Sequence, residues 1–250
     1  LNKDANDTAS DFVRNKIRAT VNDPETAELL CPDNHPIGTK RLILDSNYYE
    51  IFNQSNVKLV DVRSAPIQEI TRSGIKTTES EYQLDAIAFA TGFDAMTGAI
   101  KEIDVRVDGG TTIEEQWDGG PRTYLGLMVA GLPNMFMITG PQSPGVKSQM
   151  ILSIEWHINW IANCLSHMRN NNHTRVAAEV EAQQQWVDHV REVAGSTLYP
   201  LANSWYMGAN IPGKARVFMP YVAGVEAYTK ECNRVTQNGY QGFEFSTNIS

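Results

Sequence analysis

The spacing of apolar and polar positions along the chain predicts four helices. Residues 9–21 carry apolar side chains at helical spacing, which predicts an amphipathic helix that Ser10 or Asp11 would cap. The same spacing predicts a second helix at about 147–170, where the periodic residues are Ile151, Ile154, Ile158, Ile161 and Leu165, and two more helices are predicted at about 174–194 and 224–237.

Short apolar runs predict strands between these helices. Four of them indicate buried strands, at 41–45, 57–62, 84–90 and 135–139. The run at 84–90 is almost wholly apolar, which is typical of the centre of a parallel sheet. Residues 67–82 are predicted to form a hairpin that turns at Ser73-Gly74, and residues 47–53 a helical turn. Strands that alternate with helices favour the α/β class.

Composition and charge exclude several partners. The chain has 250 residues, of which 42% are hydrophobic and 20% charged, as in ordinary globular proteins. Its 21 basic and 29 acidic residues give a net charge of −8, whereas nucleic acid and anionic lipid both favour a basic face. No apolar run approaches the roughly 20 residues of a membrane span. We therefore expect neither a nucleic-acid nor a membrane partner.

The number and spacing of the cysteines indicate the redox state of the compartment. Cys31, Cys164 and Cys232 are odd in number and widely spaced, which makes a disulfide framework improbable. A reducing environment suits free thiols, so the sequence favours a cytoplasmic location.

Two glycine turns suggest nucleotide binding, but the glycine-rich phosphate motif is absent from the chain. A dinucleotide-binding fold uses G-x-G-x-x-G, where glycines let the backbone approach the pyrophosphate at a helix N-terminus. The 250 residues contain no such motif. However, the apolar runs at 84–90 and 135–139 pass directly into turns at Gly92 and Gly140. They look like late strands of a nucleotide-binding sheet whose opening strands lie outside this chain.

Five segments together resemble a known family, the Baeyer–Villiger monooxygenases. An Ala-Thr-Gly alone is shared by many flavoproteins, whereas the set, in the family's order, is specific. The segments are GTKR at 38–41 with NYYE at 47–50, LDAIAFATGFD at 84–94, GPRTYLG at 120–126, GPQSP at 140–144 and WYMGANIPGK at 205–214.

The resemblance implies a fold and a division into domains. The fold would be α/β, part of a flavoprotein with two dinucleotide-binding domains (Rossmann-like, for FAD and NAD(P)), followed by a C-terminal helical segment. Residues 1–45 would end the NADP-binding domain, 46–145 would be the C-terminal part of the FAD-binding domain, and 146–250 the C-terminal helices and a cofactor-covering loop. The glycine motifs would lie in an N-terminal half of the same enzyme. Without that half, the chain is expected to be inactive and to aggregate or stay partly unfolded.

The resemblance also implies a reaction. With FAD, NADPH and O2, such an enzyme inserts one oxygen next to the carbonyl of a small ketone through a flavin C4a-peroxide, giving an ester or lactone. Arg41 would be catalytic, because a guanidinium stabilises the peroxide and the tetrahedral intermediate. Lys40 would hold the 2′-phosphate of NADPH. Without the resemblance, the sequence favours interpreting Lys40 and Arg41 as a solvated basic pair at the start of a strand.

Besides Lys40, the family's cofactor contacts map onto six residues. Glycine after a central strand lets a cofactor approach the backbone, although an ordinary strand-ending turn is the alternative at 91–94. Trp205 would lie beside the nicotinamide ribose, or else fill a gap in the core, and Met150 would lie close to the flavin. The residues implied at FAD in the strand-ending turn are Thr91, Gly92, Phe93 and Asp94.

The ketone pocket is implied at the next loop. The resemblance assigns its lining to Ser143, Pro144, Gly145 and Val146. Lys147 departs from the small or apolar residue expected at its position. Because burying a lysine is costly, its side chain is expected to point to solvent.

A metal site is not predicted. His157, Cys164 and His167 lie roughly on one helix face, but zinc requires three or four closely converging ligands. Trp156 and Trp160 in the same stretch favour packing instead.

Two other functions remain open. One is an N- or S-oxygenating flavin monooxygenase, although the Lys-Arg pair and the Trp-Tyr loop favour ketone oxidation. The other is a non-catalytic nucleotide-binding domain, which the absent glycine motifs would favour if the chain acts alone.

Overall fold

The computed structural model describes residues 2–107, 109–146 and 149–247. They form two compact units. The smaller unit comprises residues 2–38 and 42–92, and the larger comprises 39–41 and the chain from 93 onward. The predicted domain boundaries at 45 and 145 refer to a longer enzyme and stay a prediction.

The smaller unit combines two helices with an antiparallel sheet. The sheet has strand order β1-β2-β3, and its first two strands form the predicted hairpin. The predicted helical turn is a 3₁₀ helix at Glu50–Asn53. The elements are α1 (Lys3–Thr20), α2 (Pro24–Leu30), β1 (Ile67–Thr71), β2 (Gly74–Thr77) and β3 (Glu81–Gln83).

Helix α1 begins earlier than predicted, and α2 was not predicted. The cap of α1 is Asn2, whose side chain accepts hydrogen bonds from the N–H groups of Asp4 and Ala5, so the expectation of Ser10 or Asp11 was wrong. Helix α2 has only seven residues, too few for a clear apolar period. Its signal was the Asp-Pro pair at its start, a capping residue followed by proline.

The larger unit is mainly helical. It contains a two-stranded antiparallel sheet, β4 with β5, and two 3₁₀ helices at Tyr199–Leu201 and Trp205–Met207. The elements are α3 (Gly98–Lys101), α4 (Ile113–Gln116), α5 (Met150–Asn170), β4 (Arg175–Ala178), α6 (Val180–Gly195), α7 (Val225–Gln237) and β5 (Phe243–Ser246).

The core of the larger unit lies between α5, α6 and α7. Helix α5 buries Trp160, Cys164 and Met168, which lie four residues apart and therefore share one face. They pack with residues of α6 and α7 and with the segment 124–128. The sequence predicted helices at these three places, but the apolar face it indicated on α5 was wrong, because Ile151, Ile158 and Leu165 are 60%, 48% and 47% exposed.

One predicted helix is part strand. Residues 174–194 were expected to be wholly helical, but Arg175–Ala178 pair with Phe243–Ser246 as β4 and β5. The pairing partner lies almost 70 positions away, so no local pattern could reveal it.

The four predicted buried strands, of which 84–90 was expected to be parallel, were wrong. None of 41–45, 57–62, 84–90 and 135–139 has strand hydrogen bonding. A segment forms a parallel strand only when it hydrogen-bonds to a neighbouring strand, and the described residues place no strand beside these segments. Their apolar side chains are often exposed: Leu44 keeps 97% of its surface and Phe89 71%.

Among the described residues, no helix combines the length and apolar character that crossing a bilayer requires.

Candidate functional site

Two of the segments singled out in the sequence, 84–94 and 205–214, are in contact at residues 93–95 of the larger unit. We call this set of contacts the 93–95 junction. The Lys214 ammonium pairs with the Asp94 carboxylate and donates a hydrogen bond to the Ala95 carbonyl at 3.0 Å. The Asn210 amide donates to the Phe93 carbonyl at 2.8 Å. Lys214 is only 11% exposed, so the charge it places there is partly desolvated and its pairing matters more than at an open surface.

The loop that provides Asn210 and Lys214 is held by its own backbone. Residues Trp205–Met207 form a 3₁₀ turn that ends at Gly208 with φ +71°. A β-carbon at Gly208 would meet the Ala215 carbonyl oxygen at 2.7 Å, so only glycine fits. This turn therefore fixes the backbone of the loop that carries the Asn210 and Lys214 side chains.

Arg41 lies beside a buried tyrosine of the same loop. Its side chain is exposed, while Tyr206 is 1% exposed and offers its hydroxyl oxygen to the guanidinium. Burial raises the pKa of Tyr206, and the Arg41 charge and hydrogen bond offset part of that rise. Arg41 thus combines an exposed side chain with a contact to a buried tyrosine.

Hydrogen bonds and burial tie the loop at 140–146 to the rest of the larger unit. The Ser143 hydroxyl donates to the Gly140 carbonyl at 2.7 Å, and the Ser143 carbonyl accepts from the Tyr221 N–H at 2.9 Å. Val146 is buried in a cluster with Tyr199, Tyr206 and Phe218. The loop therefore packs against the same tyrosine that anchors Arg41.

Comparison with known proteins gives relatives over almost the whole chain. No family model matches it. It is 42% identical over 245 residues to cyclopentanone 1,2-monooxygenase of Comamonas sp. (strain NCIMB 9872), covering 97% of this chain and 44% of that protein. It is 43% identical over 237 residues to a Baeyer–Villiger monooxygenase of Pseudooceanicola batsensis, covering 94% and 43%.

Solved structures agree with these relatives. A closed crystal structure of cyclohexanone monooxygenase superimposes with TM-score 0.94 at 36% identity, covering 99% of this chain and 46% of that one. An oxidised steroid monooxygenase bound to NADP gives 0.89 at 45% identity, again covering 99% and 46%.

This chain is homologous to the C-terminal half of Baeyer–Villiger monooxygenases. It spans about half the length of the curated relatives it matches. The α/β fold expected from the resemblance, as part of a flavoprotein with two dinucleotide-binding domains, is confirmed by these structures. One relative has another chemistry in its name: phenazine N-monooxygenase PhzNO1 of Lysobacter antibioticus, 38% identical over 240 residues, which are 96% of this chain and 44% of that protein.

The residues that the Baeyer–Villiger resemblance assigns to FAD are exposed. Phe93 is 87% exposed, and Thr91, Gly92 and Asp94 are exposed as well. Gly92 has φ +86°, and a β-carbon there would meet no atom of the described residues within 4 Å. Backbone and side chains at 91–94 are thus exposed in this structure, and their assignment to FAD stays a prediction.

The remaining assigned residues differ in their exposure. Lys40 is half-buried, Met150 is 40% exposed as the first residue of α5, and Trp205 is half-buried against Tyr206 with ring centroids 3.9 Å apart. In the pocket loop, Ser143, Pro144 and Val146 are buried and Gly145 is half-buried. Lys147, whose direction was predicted, lies outside the described residues.

The candidate metal ligands are engaged in packing. Within the described residues, no group of three or more His, Cys, Asp or Glu side chains could hold a metal ion. His157 uses both ring nitrogens in hydrogen bonds, and Cys164 is fully buried in the core cluster. Burial raises the pKa of the Cys164 thiol to about 12, which keeps it protonated and inert.

Sequence reasoning missed three residues of the site. Asn210 and Lys214 lay inside a recognised segment, but their contacts with 93–95 span more than 115 positions and leave no local signal. His157 was considered only as a metal ligand.

Proposed function

We propose that this chain is the C-terminal part of an FAD- and NADPH-dependent Baeyer–Villiger monooxygenase. Together with an N-terminal half that carries the glycine motifs, it would insert one oxygen of O2 next to the carbonyl of a small ketone, giving an ester or lactone. The observation that carries the proposal is the 93–95 junction, since it joins the segment assigned to FAD to the loop assigned to nicotinamide. Homology over 97% of the chain to a cyclopentanone 1,2-monooxygenase supports it.

The residues present fit the two cofactors. Bound FAD would supply the activation of O2, and NADPH the electrons. The exposed backbone at 91–92 and the exposed ring of Phe93 would contact FAD, while Asp94 is held by Lys214 and keeps the turn in place. The Lys40 ammonium would bind the 2′-phosphate as a point charge. Trp205 would lie against the nicotinamide ribose, and Met150 would lie against the flavin.

Arg41 would stabilise negative charge. Attack on a ketone carbonyl places charge on oxygen, and preorganised donors aimed at that oxygen lower the barrier. The Arg41 guanidinium presents several donors in a plane. Its contact with buried Tyr206 would hold that plane in one orientation without neutralising it.

The loop 143–146 would line the ketone pocket chiefly with backbone and with Gly145. Ser143, Pro144 and Val146 are turned into the core, so Gly145 and Met150 offer the accessible surface. A wall made of fixed backbone excludes water and does not need to reorganise during the reaction.

Product analysis tests the proposal. The chain would be co-produced with its N-terminal half, loaded with FAD, and incubated with NADPH and cyclopentanone. We expect lactone from the native protein, and about a 100-fold or greater loss for Arg41→Ala, as for other lost oxyanion donors.

The matched control is Arg191→Ala, an exposed arginine on α6 that pairs with Asp188. It should leave lactone formation unchanged, and NADPH oxidation should persist in both variants. Lactone formation that survives Arg41→Ala would contradict the assigned role.

N-oxygenation is the second candidate, because phenazine N-monooxygenase is a relative of similar identity. A parallel incubation with phenazine separates the two. N-oxide in place of lactone would support the second function. A purified assembly without the visible absorbance of flavin would instead favour the non-catalytic nucleotide-binding domain.

We further place the protein in the cytoplasm. All three cysteines are buried and free, which suits a reducing compartment.

A further inference from the structure

A buried histidine on α5 has both ring nitrogens committed. His157 is 0% exposed, and its Nδ1 lies 2.9 Å from the Thr139 N–H. A backbone N–H can only donate, so Nδ1 must be the unprotonated nitrogen. Burial lowers the pKa of His157 to about 4, which keeps the ring neutral with its proton on Nε2. That proton is donated to the Tyr228 hydroxyl oxygen, 2.9 Å away.

Tyr228 of α7 extends the chain of hydrogen bonds. Its hydroxyl donates to the Leu125 carbonyl at 2.6 Å. Burial raises the pKa of Tyr228 well above its ordinary value, so the hydroxyl keeps its proton. The direction of every bond is therefore set, from the Thr139 N–H through His157 and Tyr228 to Leu125. Such a network holds its end groups in one arrangement.

Both end groups belong to uncommon backbone conformations. Leu125 has φ +58° and Thr139 has φ +55°, in the left-handed region that a β-branched residue rarely adopts. Backbone outliers of this kind persist only where surrounding contacts impose them. One His-Tyr pair ties down both residues, which lie on different segments of the chain.

Each of these residues precedes a glycine, and the two glycines touch. A β-carbon on Gly140 would meet the Gly126 carbonyl oxygen at 2.5 Å, and one on Gly126 would meet the Ser143 β-carbon at 2.6 Å. The loop that begins at Gly140 is thus packed against the segment 125–126 without spare room. Any shift at Leu125 or Thr139 must displace Ser143 and its neighbours.

We propose that His157 and Tyr228 form a positioning pair that fixes the backbone of the loop 139–146 and thereby sets affinity for the ketone. The proposal rests on the proposed function, which assigns this loop to the ketone pocket. Neither residue touches substrate: His157 acts through Thr139, and Tyr228 through Leu125.

Variants at both residues test the pair in the flavin-loaded enzyme that contains this chain. Tyr228→Phe removes the bond to Leu125. His157→Asn places an amide oxygen where Nδ1 stood and still accepts from Thr139, whereas His157→Gln places its amide near Nε2 and does not. The matched control is Tyr240→Phe, another buried tyrosine of the same core, whose ring packs against Trp160.

Two readouts are taken: KM and kcat for cyclopentanone, and amide hydrogen exchange of peptide 137–146. We expect Tyr228→Phe and His157→Gln to raise KM about tenfold, the scale of one lost buried hydrogen bond, with kcat within about twofold. Exchange of the peptide should accelerate in the same variants. His157→Asn and Tyr240→Phe should remain near the native protein in both.

Unchanged exchange in Tyr228→Phe and His157→Gln would overturn the proposal whatever the activity, because the loop would then not depend on the pair. Faster exchange with unchanged KM would overturn its link to the ketone. If the native enzyme forms no lactone, the proposed function fails, and exchange alone still decides whether the pair holds the loop.

Discussion

Two apolar segments of this chain have similar composition and opposite surroundings. Residues 125–130 belong to the larger unit and are buried, with Leu125, Leu127 and Met128 at 0% exposure. Residues 84–90 belong to the smaller unit and are mostly exposed, as is the run 42–44. The first segment packs against other residues of the chain. For the apolar side chains of the second segment, the described residues provide no comparable packing partners. Apolar composition predicts that a segment will be buried somewhere, but not by what.

The largest expected effect is a difference in solubility between the chain alone and the chain produced with the N-terminal half proposed above. Unpaired extended segments and exposed apolar side chains promote association, so the isolated chain should aggregate. Co-production should give a soluble assembly that retains flavin. Size-exclusion chromatography with light scattering measures both, and a monodisperse isolated chain with cooperative melting would refute the expectation.

Substitutions in the two segments sharpen the comparison. In the assembly, Leu127→Ala should lower the free energy of unfolding by about 3 kcal/mol, because it leaves a cavity in a packed core. In the isolated chain, Leu44→Ser should reduce dye binding to exposed apolar surface, since this side chain is 97% exposed. Urea denaturation followed by tryptophan fluorescence measures the first. Equal stability of Leu127→Ala and native protein would contradict the conclusion that segment 125–130 is packed in the core while segment 84–90 is not.

Acid should weaken the buried core specifically. The pKa of His157 is lowered by burial from 6.5 to about 4, so between these values the unfolded chain binds a proton that the folded chain does not. Stability from the neutral ring is complete above pH 6.5 and falls as pH drops toward 4, by up to ~1.4 kcal/mol per unit.

His157→Gln should lack this part of the slope, which denaturation at several pH values would show. Identical slopes for variant and native protein would mean that the imidazole titrates alike in the folded and unfolded chains.

The smallest expected effect concerns the 93–95 junction. The Asp94–Lys214 pair is partly exposed, so a double-mutant cycle with Asp94→Asn and Lys214→Met should give a coupling of about 1 kcal/mol. Flavin retention should fall in both single variants. Additive effects on stability would show that the ion pair contributes nothing beyond its separate side chains.

How well the sequence predicted the fold depended on how local each signal was. Helices α5 and α7 were predicted in place, but the apolar repeat that predicted α5 did not identify its buried face, since Ile151, Ile158 and Leu165 are largely exposed. The predicted buried strands were wrong and β4 was missed, because strand pairing depends on distant residues such as those of β5. The site divides in the same way: Arg41 and Gly92 came from recognisable segments, whereas the Thr139–His157–Tyr228 chain joins positions up to 89 apart on three elements.

The fixed loop 139–146 also has a consequence for altering substrate range. Since its backbone is tied by Thr139, Ser143 and the two touching glycines, insertions or deletions there should be poorly tolerated. Gly145 is different: a β-carbon there would lie 3.9 Å from Pro220 and 4.0 Å from the Met150 sulfur, which is ordinary contact. A mutant library that seeks new ketones would therefore gain most from diversifying positions 145 and 150 on an unaltered backbone.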